Sequence, residues 1–136
     1  MSGEKNLSTL LRVLNPELDP DDYVFCSIPF GSEHVAQIDA WAIIHEREGL
    51  SLIIKREEAD RHRLQYEMAF RRITLNVHSS LEAVGLTAAV STRLTELQIS
   101  TNVVAGFFHD HIFVPAEDAE RALRAVAGLS RAQPTN

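Results

Sequence analysis

The sequence predicts an α+β fold of two consecutive units, each an antiparallel sheet with helices packed on one face. Two observations predict it. The first is the stretch from Ile73 to Pro115, where the spacing of apolar residues changes twice. Ile73, Leu75 and Val77 alternate with Thr74, Asn76 and His78, the period of two that marks a half-buried strand. From Leu86 the period lengthens. Leu86, Ala89, Val90, Leu94 and Leu97 share one side of a helix, with Ser91, Arg93, Glu96 and Gln98 on the other. Ile99, Val103 and Val104 resume strand character, Phe107 to Asp110 turn the chain, and Ile112 to Val114 return it, giving a βαββ order.

The second observation is an internal repeat. SLIIKREEADR (51–61) lines up with HIFVPAEDAER (111–121): a strand, a polar turn, then a helix opened by acidic residues. YVFCSI (23–28) stands upstream of the first copy where ITLNVH (73–78) stands upstream of the second. Each half reads βαββα. Tyr66 to Phe70 is expected to be the strand that completes the first half as βαββαβ. The second half meets Pro134 soon after its helix, so its last strand is expected from a neighbouring module, or that side stays an edge. Two four-stranded sheets are the expected outcome, with modules at 1–64, including a leading helix, and at 65–130. Residues 131–136 are expected to fray.

Taken in order, the chain opens with a short helix. Asn6 or Ser8 can cap it, and Leu7, Leu10, Leu11 and Leu14 form its apolar stripe. Asn15-Pro16 ends it, because proline disfavours helical geometry in the preceding residue. ELDPDD (17–22) reads as a turn-rich connection. Tyr23 to Ile28 form a strand, Pro29 to Ser32 leave it, and Val35 with Ile38 suit a short helix. Trp41 to His45 and Ser51 to Lys55 read as a hairpin turning at Glu48-Gly49. Arg56 to Leu64 read as helix.

Composition narrows the function classes. The 136 residues are 45% apolar and 24% charged, ordinary for a folded chain that buries roughly two-thirds of its unfolded surface. A net charge of −6 supplies no basic footprint for nucleic acid, and Arg61-His62-Arg63 and Arg71-Arg72 read as solvated clusters beside acids. The single cysteine, Cys26, excludes an internal disulfide and a multi-cysteine metal site, and within YVFCSI it reads as a small core hydrophobe. No apolar run reaches the length of a membrane span, and MSGEKNLSTLL lacks the pattern of a signal peptide. A cytoplasmic location, with no membrane and no nucleic-acid partner, is the expectation.

VHSSLEAVGLTAAV (77–90), with its Gly85-Leu86 pair at a strand-to-helix turn, and NVVAGFFHDHIFVPAEDAERAL (102–123) resemble the ACT domain, a small ferredoxin-like regulatory module that typically binds amino acids. The fuller pattern, extended by YVFCSIP (23–29) and EREGLSLII (46–54), is similar to a bacterial family of small tandem ACT-like proteins. In ACT domains that bind amino acids, the ligand commonly sits between the strand-to-helix loop of one module and the strand edge of another. At matching positions the resemblance implicates His78, Ser79, Ser80, Glu82, Val84, Gly85 and Leu86, with Asn102, Val103 and Val104 on the next strand.

The residues themselves allow that role. A hydroxyl-rich loop entering a helix presents free backbone N–H groups, and a helix N-terminus favours an anion such as a carboxylate. Capping by Ser79 or Ser80 accounts for the same loop. Asn102 is an amide that can donate to a carboxylate and accept from an ammonium; a bulge or a water-facing edge position is the other reading. IPFGSEHV (28–35) lacks the same glycine-led pattern, which puts an equivalent site in the first half in doubt.

Two catalytic readings are set aside. His78 and Ser79 are strand neighbours that point to opposite sides, and no G-x-S-x-G elbow is present. His109-Asp110-His111 offers two imidazoles and a carboxylate, but no further ligand-spaced His or Cys accompanies it, and a hydrogen-bonded turn fits better. No catalytic residue, metal or cofactor is expected. The chain reads as a non-enzymatic amino-acid sensor with a homodimer or another protein receiving its signal. A ligand-free interaction module is the alternative, and a small enzyme using His109 or His111 is the more distant one.

Overall fold

A computed structural model describes residues 6–77 and 84–131. The chain divides into two compact units. One comprises residues 1–20 and 71–136, and the other residues 21–70.

The larger unit starts with helix α1 (Leu7–Arg12). Asn6 caps it, its Oδ1 accepting from the Thr9 amide at 3.0 Å. The start of strand β1 (Pro16–Ile28), strand β4 (Phe70–Leu75), strand β6 (Asp110–Pro115) and strand β5 (Asn102–Ala105) follow one another in hydrogen-bonded order. Helices α3 (Leu86–Glu96) and α4 (Ala119–Arg131) complete the unit, with a short 3-10 turn over Ala116–Asp118 leading into α4. Strand and helix periodicities meet in one core. Ile73 and Leu75 of β4 and Ile112 and Val114 of β6 pack with Leu86, Val90 and Leu94 of α3 and with Ala122 and Val126 of α4. Leu10, Leu11 and Leu14 belong to the same core, so the leading helix packs with the C-terminal half rather than with residues 21–64.

The strand that the second half lacks at its end is supplied in cis. Asn76 N donates to Asn15 O at 3.2 Å, and the first residues of β1 run beside β4. ELDPDD is therefore strand and not turn. Its acids are compensated by cations distant in sequence. Arg72 Nη2 lies 2.6 Å from Asp19 Oδ2, and Arg71 donates twice to the Asp19 carbonyl, at 2.9 and 2.8 Å. Arg71-Arg72 is thus a partly buried anchor instead of a solvated cluster.

The smaller unit holds the rest of β1, a 3-10 helix over Glu33–Gln37, strand β2 (Ala40–Glu46), strand β3 (Gly49–Lys55) and helix α2 (Arg56–Arg61). Its order is β2-β3-β1, with Tyr23 opposite Lys55 and Ile28 opposite Leu50 in an antiparallel ladder. The β2–β3 hairpin closes at Gly49, where φ is +154° and an added Cβ would meet the Ile28 carbonyl at 2.7 Å, so a side chain is excluded. Val24, Cys26 and Ile28 of β1 and Leu50, Leu52 and Ile54 of β3 face Ile38 and Ala59 in a second core. Cys26 is buried there, and burial raises its thiol pKa, as expected of a structural cysteine.

Tyr66 to Ala69 are not a strand. Leu64 and Tyr66 pack against the second core instead, and Tyr66 donates to Asp60 Oδ1 at 2.8 Å. The smaller unit consequently has three strands where four were expected. Among the described residues no helix is long and apolar enough to cross a membrane.

Candidate functional site

Helix α3 begins at Leu86 because Gly85 takes a left-handed φ of +100°, a conformation open to glycine and costly for residues with a Cβ. Gly85 has no side chain to cap the first turn; its carbonyl accepts from the Ala89 amide at 2.8 Å. An added Cβ would meet Leu7 Cδ2 of α1 at 3.1 Å, so the turn also holds two helices close. Val84 is exposed, whereas Leu86 is buried in the core and fixes the helix start from within. His78, Ser79, Ser80 and Glu82 lie outside the described residues.

The other predicted positions are on β5, which among the described residues pairs with β6 alone and is an edge strand of its unit. Asn102 stands opposite Phe113, Val103 opposite Ile112 and Val104 opposite His111. Asn102 is exposed at the first position of the strand, Val103 is partly exposed and Val104 is half-buried. The predicted residues thus fall in two groups, one at the start of α3 and one on an exposed strand edge. After β5, Gly106 N donates to His109 O at 2.9 Å and closes the turn that displays Phe107 and Phe108. Their rings meet edge to face at 5.0 Å.

His111 is half-buried on β6, and its Nδ1 is 2.9 Å from Thr74 Oγ1. Arg72 Nη1 donates to that hydroxyl at 2.8 Å, and Arg72 is paired with Asp19. Burial, then the Arg72 charge, then His109 lower the His111 pKa to about 4, so the imidazole is neutral at neutral pH. His109 and His111 are 6.5 Å apart between ring centroids, and among the described residues no cluster of three His, Cys, Asp or Glu side chains could hold a metal ion. Asp19, Arg72 and Thr74 were not identifiable from sequence as partners of the HDH stretch. Arg72 is 53 residues from Asp19 and Thr74 is 37 from His111, and no local spacing encodes either contact.

The fold is that of an α+β protein with antiparallel strands and helices packed against them, and comparison with known proteins makes the assignment specific. Residues 2–71 match one ACT-domain family model and residues 70–127 match another. The chain belongs to the ACT-domain family, whose members are regulatory modules that typically bind amino acids. A protein of unknown function from Vibrio cholerae, described as a possible transport protein, is 44% identical over 93% of this chain and 97% of that one, with a TM-score of 0.84. The regulatory subunit of aspartate kinase from Thermus flavus shares the fold at 16% identity, covering 85% of this chain and 97% of that one with a TM-score of 0.62. The ligand-free Thermus thermophilus regulatory subunit is similar at 15% identity, 86% and 97% coverage and a TM-score of 0.64. No match was found among curated protein sequences.

Proposed function

We propose that this chain is a non-enzymatic regulatory sensor that binds an amino acid where the strand-to-helix loop 78–86 of one ACT module faces the β5 edge of another. The tandem ACT match is the observation that supports the reading most directly. Gly85, with no side-chain cap for α3, and Asn102, exposed on an edge strand, fit it: the first favours a ligand carboxylate and the second can engage carboxylate and ammonium together. Occupancy becomes a signal if the ligand binds two assembly states unequally. A homodimer, or a second protein, is the proposed receiver. Calorimetric titration with the standard amino acids tests this. Saturable binding by one chemical class, weakened tenfold or more by Asn102→Ala, supports it; an absence of binding across the set contradicts it.

The second reading is an interaction module without a ligand. Exposed Val103, Phe107 and Phe108 at the β5 edge and its turn favour it, since unpaired edges and clustered apolar side chains are association surfaces. Concentration-dependent self-association untouched by any amino acid would select this reading.

A further inference from the structure

In the smaller unit, a cavity of about 290 Å³ is lined by Tyr23, Asp39, Ala40, Trp41 and Lys55. It lies at the opposite end of that unit's strands from Pro29–Ser32, the loop joining β1 to the 3-10 helix, and the register explains its composition. Tyr23 pairs with Lys55, and Ala40 pairs with Ile54, so the end of β3 is flanked by β1 on one side and by the entry to β2 on the other. The β2–β3 register shifts between Ala40 and Ala42, leaving Trp41 as the extra residue of a β-bulge. A bulge re-aims the side chain it carries, and here that residue lines the cavity.

The walls are held from behind. Glu58 of α2 is 4% exposed, and its Oε2 accepts from the Asp39 amide at 2.8 Å. The same carboxylate contacts His62 Nε2 at 3.1 Å and is paired with Arg61. A buried acid is costly unless it is paired and hydrogen-bonded, so Glu58 ties the Asp39–Trp41 segment to α2 through a bond that is expensive to break. Lys55 is placed by Asp21 at 3.2 Å, a contact that raises its pKa and keeps it an ammonium at neutral pH. Tyr23, almost wholly buried, also lines the cavity.

We infer that this cavity is a ligand site for a small zwitterion with an apolar side group. Lys55 receives the carboxylate, Asp39 receives the ammonium, and Trp41 with Tyr23 covers the apolar part. Pockets of this kind pair an aromatic lining with a few placed polar groups, and the volume suits a ligand of amino-acid size. The site is built from residues 23–55 alone and is independent of the loop 78–86 and of β5, so it does not rest on the function proposed above.

Trp41 is the only tryptophan in the chain, so its emission reports on this cavity directly. The test titrates the full-length protein with L-phenylalanine, L-leucine and L-methionine, and with phenethylamine and 3-phenylpropionate, which each lack one charge. A saturable change with at least one amino acid is expected, unaltered in Asn102→Ala. The affinity should fall about tenfold or more in Lys55→Met, in Asp39→Asn and with the matching half-charged analogue, the loss typical of one charge-assisted hydrogen bond. Both substitutions are at exposed groups, and circular dichroism checks that the fold is kept. No saturable change with any of the three amino acids overturns the inference. So does a change that both charge variants retain at full affinity, or one that Asn102→Ala abolishes.

Discussion

His111 Nδ1 and Thr74 Oγ1 lie 2.9 Å apart, which joins neighbouring strands β6 and β4 through side chains as well as backbone. Arg72 continues the chain of contacts from Thr74 to Asp19 on β1, so three strands of the larger unit are linked across one face. The consequences of this link can be measured.

The His111 pKa is lowered to about 4 in the folded protein, against about 6.5 for an unperturbed histidine. Between those values the unfolded chain binds a proton that the folded chain does not, so stability falls as pH drops from about 6.5 to 4. Above that window the group contributes no pH dependence. Thermal midpoints measured from pH 4 to 8 should show this slope, and His111→Gln should flatten it.

Arg72 lowers the His111 pKa and holds Asp19. Arg72→Met should therefore raise the His111 titration midpoint, read by NMR of the ring protons. It should also destabilise the fold by about 2 kcal/mol, because a partly buried carboxylate and a hydroxyl lose their donor. A His111 midpoint that does not move would show that burial alone sets it.

Gly85→Ala should cost about 1–2 kcal/mol from the left-handed backbone, and more if Leu7 cannot shift from the new methyl group. Chemical denaturation measures the loss. An unchanged stability would mean that the α3 start is not held at this φ.

Glu58→Ala should lower stability by about 2–4 kcal/mol, since the Asp39 amide and the His62 and Arg61 side chains all lose a buried acceptor. Trp41 emission should change in the same variant, reporting that the entry to β2 has loosened. A stability change without an emission change would separate the anchor from the cavity wall.

Much of this architecture was legible because it is written locally. Asn6 caps α1, Gly49 turns the hairpin, and the apolar spacing around Ile73 and Leu94 falls on core positions. What escaped was written at long range. ELDPDD looked like a turn because the cations that neutralise Asp19, Asp21 and Asp22 lie on other strands and at the start of α2. Tyr66 looked like the start of a strand because its hydroxyl partner, Asp60, lies on a preceding helix. Glu58, in the middle of a charged run, gave no sign of burial, and the bulge at Trp41 has no glycine or proline to announce it. For the candidate site, spacing located Gly85 at a helix start and Asn102 on a strand, but not which strand would be an edge.

The most direct test of the sensor reading is thermal unfolding against a panel of the standard amino acids, for the native chain, Lys55→Met and the double variant Lys55→Met/Asn102→Ala. A ligand at a hundredfold excess over its dissociation constant adds about 2.7 kcal/mol, a rise of several degrees in a chain of this size. The account predicts a rise for one chemical class that persists in Lys55→Met, where the cavity at the end of β3 is silenced, and is lost in the double variant. A flat panel in Lys55→Met, or a rise there that the added Asn102→Ala leaves intact, would contradict it.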